Sequence, residues 1–453
     1  MSIARWLATQ VVDTPCDAIP AHAIEHAAML VASTVASAAS GFDLPSAAAV
    51  RALMTQQGGT PDASVWFSGG VRLPCANACR ANALASDASA SDDSDLRTLA
   101  HPGTALVAAS LALGERVGAS GREVLAATVL GYEVCGRIGW ALMPAYPRQG
   151  FHASHICGIG AAVAAGCLLK LDEQQLTQAI AIASSAGAGL SAAAATSCMR
   201  EYFAGHVVQR GVDAALLAQN GFTAQEDILE AKGGFFAVHG AEDLASVTAQ
   251  WGAQWGILTA SGIKLVPGGH GYHALAEAAA NAAREGGVRP GDVARVTMAQ
   301  PLGTRLRIRP LPVRSHPRDL IDMAHTPAYF VAAAIVDHGF SWKHASEENI
   351  QDPVVHALID QVEVGEPIEE DVDRFMHGAR VSIHTRGGQV FESTVHAPRG
   401  SVVRGVAWRD VDEKFHALVA RVQPDAHRRE RMLDAIHGLA GLSRVSQLTA
   451  LLH

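Results

Sequence analysis

The chain has 453 residues, of which 49% are hydrophobic and 17% charged, a composition that can build a large buried core and excludes a disordered protein. That length exceeds one ordinary core and predicts two units. With 35 basic against 44 acidic residues the net charge is −9, and no basic face is concentrated enough to follow a phosphate backbone, which argues against a nucleic-acid partner.

At the start, Met1-Ser2-Ile3-Ala4-Arg5-Trp6-Leu7 opens an amphipathic helix rather than a signal peptide, and no apolar run reaches the roughly 20 residues needed to span a bilayer. Ala and Leu then recur at helical spacing, predicting helices over 23–40, 44–57, 73–86, 103–117, 121–141, 157–169, 172–186 and 207–220. Small residues let such helices approach closely, so a compact bundle is expected. Ser120-Gly121-Arg122-Glu123 resembles a capped start, and Asn220-Gly221 a stop. The seven cysteines (Cys16, Cys75, Cys79, Cys135, Cys157, Cys167, Cys198) are scattered through Ala-rich surroundings, as expected of reduced thiols in a cytoplasmic protein. Cys75 and Cys79 would share a helix face, but no second Cys/His pair completes a zinc site, and no metal is expected.

Polar residues at element ends carry the candidate chemistry. Asp92-Asp93-Ser94-Asp95 reads as an acidic loop in which Asp93 or Ser94 could bond a substrate hydroxyl or orient His101, and equally as a capping loop. His101-Pro102-Gly103 begins a helix, where N–H groups at the positive end of the macrodipole would receive a carboxylate. Gly150-Phe151-His152-Ala153-Ser154-His155 places two histidines near another helix start, at least one of them facing a cleft. Met199-Arg200-Glu201-Tyr202-Phe203-Ala204-Gly205-His206 reads as a joint between helices, with Arg200 either gripping a carboxylate or pairing with Glu201 on the surface. Lys264-Leu265-Val266-Pro267-Gly268-Gly269-His270-Gly271-Tyr272-His273 sets a lysine and two histidines around a Gly-rich turn, where an anion could be held.

After Pro267 the character changes: a helix over 272–285, a strand over 293–298, a Pro-rich stretch, a helix over 328–338, and strands over 380–385 and 389–395 joined by Arg386-Gly387-Gly388. The basic run over 305–318 (Arg305, Arg307, Arg309, Arg314, Arg318) would attract a small carboxylate, or form a strand with a solvated Arg face. Tyr329, in the first turn of an apolar helix, reaches a pocket or packs in the core. Helices return from 410 to 453. The expected fold is mainly α: a large all-helical domain over 1–266 and 406–453, with a smaller α+β lid over 267–405 inserted into it.

No P-loop, dinucleotide fingerprint, nucleophile elbow, H-E-x-x-H or paired C-x-x-C is present, so the chemistry rests on Lys, His, Tyr, Asp and Arg side chains. That set suits proton abstraction beside a carboxylate and protonation of a leaving hydroxyl.

The order of Ala63-Ser64-Val65-Trp66, Asn82 before the Asp-rich loop, His101-Pro102-Gly103, Gly150-Phe151-His152, Ala204-Gly205, Lys264 with Pro267 and His273, Tyr329 and Lys414-Phe415 resembles the MmgE/PrpD family over nearly the whole chain. That family includes 2-methylcitrate dehydratase, cis-aconitate decarboxylase and iminodisuccinate epimerase. The resemblance implies a helical domain with an α+β lid, a homodimer, and catalysis without cofactor in the cleft between domains. It places catalytic positions on Asp93, Ser94, His101, Arg200, Lys264 and Tyr329.

The sequence departs from the family pattern in two places. The usual H-x-L-D-x-D-D-T reads Asp87-Ala88-Ser89-Ala90-Ser91-Asp92-Asp93-Ser94, and the usual Lys-x-Leu-His-x-Gly reads Arg200-Glu201-Tyr202-Phe203-Ala204-Gly205. The first reading is a dehydratase-type lyase on a small di- or tricarboxylate, with His101, Lys264, Tyr329, Asp93 and Ser94 catalytic and Arg200, His152, His155, His270 and His273 binding substrate. The alternatives are an isomerase or epimerase of an iminodisuccinate-like carboxylate, and a carboxylate-binding paralogue without activity. No nucleic acid or membrane is expected as a partner.

Overall fold

The computed structural model describes residues 1–187, 189–301, 315–370 and 375–453. Most of the basic run (305–314) lies outside them; its end is described, and there Arg318 is exposed and pairs with Asp322 at 2.7 Å. The chain is mainly α and divides into two compact units, Met1–Ile263 with Ala407–His453, and Lys264–Val406.

In the first unit the longer helices up to residue 219 are α1 (Ile3–Val12), α2 (Ala21–Gly41), α3 (Pro45–Gln57), α4 (Cys75–Ala88), α5 (Pro102–Val117), α6 (Gly121–Ala141), α7 (Ser154–Leu168), α8 (Glu173–Ser185) and α9 (Met199–Gln219). Their starts follow local chemistry: Ser120 and Asp172 each form a capping box, with Glu123 and Gln175. Small residues then set the spacing. A Cβ added at Gly131 of α6 would lie 2.7 Å from the Gly160 carbonyl oxygen of α7, so these two backbones touch and no side chain fits between them. No single helix among the described residues is long and apolar enough to cross a membrane.

Three expectations change here. The stretch 199–206 is the opening of α9 rather than a joint, because Gly205 does not break the helix but lets it meet α4, where a Cβ would stand 2.8 Å from the Arg80 carbonyl oxygen. The acidic loop contains a short strand, β1 (Asp93–Asp95), paired antiparallel with β2 (Ser261–Ile263), Asp93 opposite Ile263. Residues 63–64 and 72–73 form a second short ladder, so the unit is not purely helical.

The second unit carries a four-stranded sheet. Central β3 (Val293–Ala299) pairs in parallel with β4 (Val362–Val364) and antiparallel with β5 (Ala379–Thr385), which pairs with β6 (Val390–Val395). Strand β4 was not anticipated, because three residues are too few to show an alternating pattern. Val293, Val296, Val381 and Ile383 turn to one face, and helices α10 (His273–Gly286) and α11 (Pro327–Val336) pack into the same core. Each such Val or Ile, fully buried, contributes about 1.5–3 kcal/mol. Two further helices, α12 (Trp408–Val419) and α13 (Ala426–His437), belong to the first unit, and short helical turns follow them to the end.

Candidate functional site

In the first unit the C-terminus of α4, the N-termini of α5 and α7 and the first turns of α9 meet at a small recess, about 10 Å³ as a cavity. Asp87, His101, His152, Ser154 and Arg200 give it polar atoms, and Ala105, Cys157, Ala204 and Val207 its apolar wall. Few convergent polar groups on an apolar wall are the usual make-up of a small-molecule site.

The N-terminus of α5 is already filled. The buried Asp93 carboxylate accepts from the Gly103 N–H at 2.9 Å and the Thr104 N–H at 3.4 Å, so the protein's own anion takes the place expected for a substrate carboxylate. Ser94 is buried in β1 opposite Gly262. The carboxylate beside His101 is that of Asp92, a residue the sequence reading did not single out: Nδ1 lies 2.8 Å from Asp92 Oδ2 and 2.6 Å from the Asp93 carbonyl oxygen. Both oxygens only accept, so Nδ1 carries a proton.

The loop leading to Asp92 is held from two sides. Ala90 sits at φ 51°, costing about 1–2 kcal/mol for an L-residue. On one side Ser37 Oγ donates to the Ser91 carbonyl at 2.8 Å; on the other the buried Lys414 ammonium donates to the same carbonyl and to Ser33 Oγ. Lys414 carried a signal in sequence: it falls on the apolar stripe Val411, Phe415, Leu418 of α12 at helical spacing.

His152 Nδ1 is an acceptor instead. The Ser154 backbone N–H donates to its Nδ1 at 3.3 Å, with Ser154 Oγ 3.0 Å away, so Nε2 carries the proton. His155, expected to contact substrate, turns away from the recess. Its Nδ1 donates to the His152 carbonyl at 2.5 Å and its ring stacks on His239, centroids 4.5 Å apart, beside Tyr146 and Phe235. Burial drives its pKa down to about 3, so it remains neutral.

Arg200 is neither at the surface nor paired with Glu201. Its Nε donates to Asp87 Oδ2 at 2.8 Å and its Nη2 to the Asp87 carbonyl at 2.6 Å, closing the last turn of α4. Burial opposes the guanidinium charge, but the Asp87 and Asp92 carboxylates outweigh it and keep the group firmly protonated. Asp87 had been noted only as a departure from a family pattern.

In the second unit, Lys264 is buried and follows β2 directly in the chain. His270 and His273 are buried with ring centroids 4.8 Å apart, and His273 lies 6.2 Å from Phe330. The Gly-rich turn is packed rather than open: a Cβ at Gly268 (φ 96°) would stand 2.4 Å from the Phe330 ring. Tyr329 is a core residue. It is fully buried and its hydroxyl donates to the His344 carbonyl at 2.8 Å, and burial pushes the phenol's pKa up.

Among the described residues one group has the composition of a cation site: one ligand atom each from Asp87, Asp92 and His101, all within 4.8 Å of one another. The Arg200 guanidinium bonded to Asp87 already places a fixed positive charge against it, and the fit to a metal ion is poor.

The pattern of the MmgE/PrpD N-terminal domain matches residues 5–247, and that of the MmgE/PrpD C-terminal domain residues 267–437. Cis-aconitate decarboxylase of Homo sapiens is 26% identical over 407 residues, 86% of this chain and 82% of its own length. Cis-aconitate decarboxylase of Aspergillus terreus is 26% identical over 478 aligned positions, 100% of this chain and 95% of its own. These relatives are lyases by name, and the isomerase alternative gains no support from them. With both domain patterns matched in order along the chain, the protein belongs to the MmgE/PrpD family.

Proposed function

We propose that the protein is a lyase of the dehydratase type, acting without cofactor on a small carboxylate with two or three carboxyl groups. The observation that carries this reading is the pair of imidazoles lining one recess: His101, whose Nδ1 is held by the Asp93 carbonyl beside Asp92, and His152, whose Nδ1 accepts from the Ser154 N–H. His101 Nε2 takes the proton from the carbon next to a carboxylate, the electron pair forms the new double bond, and His152 gives its proton to the departing hydroxyl as water. Asp92 stabilises the imidazolium that forms on His101, as a carboxylate at Nδ1 does. Arg200 and Asp87 shape the opposite wall. Lys264 has a part in turnover that rests on the family resemblance.

A second reading is decarboxylation, favoured by the names of the relatives. There the carbon–carbon bond electrons stay on carbon as CO2 leaves, and His152 protonates that carbon. Product analysis in deuterated water separates the two. Hydroxy-polycarboxylates should yield an unsaturated product, with new ultraviolet absorbance and loss of one water. CO2 release with deuterium on the carbon that had borne the carboxyl group would replace dehydration by decarboxylation; inversion with label uptake and no alkene would overturn the lyase reading.

A further inference from the structure

Two positions that would attract an anion at the recess, the N-terminus of α5 and the Nε edge of Arg200, are occupied by the chain's own carboxylates. Asp93 fills the N-terminus of α5, bonded to Gly103 and Thr104. Asp87 takes Nε of the Arg200 fork at 2.8 Å while its carbonyl takes Nη2, and both partners are buried, with side-chain exposures of 2% and 10%. The Asp92 carboxylate, beside His101, lies within 4.8 Å of the Asp87 carboxylate. A ligand carboxylate brought to the Nε edge of Arg200 meets the Asp87 carboxylate where a donor is needed, and like-charge juxtaposition in a desolvated site is strongly unfavourable.

We infer that Asp87 stands where a third substrate carboxylate would otherwise be held, so that the substrate is a dicarboxylate, with a neutral polar group or hydrogen at the position facing Arg200. This rests on the carboxylate substrate of the lyase reading and narrows it.

Glutarate and tricarballylate, which differ by one carboxylate on the middle carbon, test it through binding alone. By calorimetry on the full chain, glutarate should bind at least about tenfold more tightly than tricarballylate. In Asp87→Ala the freed Arg200 fork should accept the extra carboxylate, so tricarballylate gains at least about tenfold and the order reverses. Asp87→Asn, which keeps the shape and removes the charge, should move the ratio the same way if Asp87→Ala does not fold. Acetate should raise the melting temperature of Asp87→Ala more than that of the parent, by refilling the vacated position. Equal or tighter binding of tricarballylate by the parent, or an unchanged ratio in both variants, would overturn the inference and leave the lyase reading standing. No binding of either compound would overturn both. Turnover does not enter these measurements, so the two failures remain distinct.

Discussion

Among the regions expected to carry chemistry, the stretch from Asp92 to His101 in the first unit and the stretch from Lys264 to His273 with Tyr329 in the second use their polar atoms differently. At the first, carboxylates hold a guanidinium and an imidazole around a recess: Asp87 on Arg200, Asp92 at His101. In the second, the rings hold one another: His270 against His273, His273 against Phe330, and the Tyr329 hydroxyl on a carbonyl. His155 repeats the second arrangement inside the first unit, against His239. A histidine becomes a reagent where its neighbours present charge and space, and a packing element where they present aromatic faces.

The contrast is sharpest at His101. His101→Gln should lose about 10²- to 10⁴-fold in kcat/KM with unfolding in urea unchanged within about 1 kcal/mol. A folded variant with near-parental turnover would remove the first region from the chemistry. Next comes Lys264→Ala, expected to lose at least about 100-fold in kcat/KM; an active variant would leave the second region with no chemical residue at all.

The buried rings separate the regions by pH. Burial lowers the pKa of His155 to about 3 and of His26 to about 4, and lowers that of His239 as well. Since the unfolded value is about 6.5, the native state binds fewer protons than the unfolded one below that pH. Their neutral burial is therefore fully favourable above about pH 6.5, and stability falls as pH drops from there, for His155 and His26 down towards 3–4 by about 1.4 kcal/mol per pH unit each. Arg210 faces His155 and adds to the penalty on its charged form. His155→Phe should flatten the fall in melting temperature between pH 6.5 and 4.5; an unchanged slope would show the ring to be solvated. The smallest change expected is Tyr329→Phe, about 1 kcal/mol of stability from the lost bond to His344, with kcat/KM within a few-fold. A large loss of turnover without loss of stability would return the phenol to the chemistry.

Helices were legible wherever small and apolar residues recur over several turns, as in α6, whose bounds Gly121–Ala141 coincide with the expectation. Strands of three residues were not: Asp93–Asp95 has no apolar alternation, and its pairing with Ser261–Ile263 depends on chain far away. His101 and His152 were legible as residues at helix starts, but which carboxylate serves His101 was not, because Asp92 and Asp93 are adjacent and only the β1 pairing decides which side chain turns to α5. Arg200 was found for its charge and misread in its partner, since a carboxylate 113 residues earlier has no local signature.

The bond between Lys414 and the Ser91 carbonyl spans 323 positions, and the β1–β2 ladder joins residues 93–95 to 261–263. A loop closed by contacts so distant in sequence cannot assume its shape when its own helices form; it waits for the far end of the chain. During synthesis the bundle around α4 to α9 can collapse first, leaving Asp92 and Ala90 unsecured until α12 docks. Removal of the last helices should then leave most of the helical signal and abolish the arrangement at His101, so that acquisition of activity lags acquisition of helix in refolding.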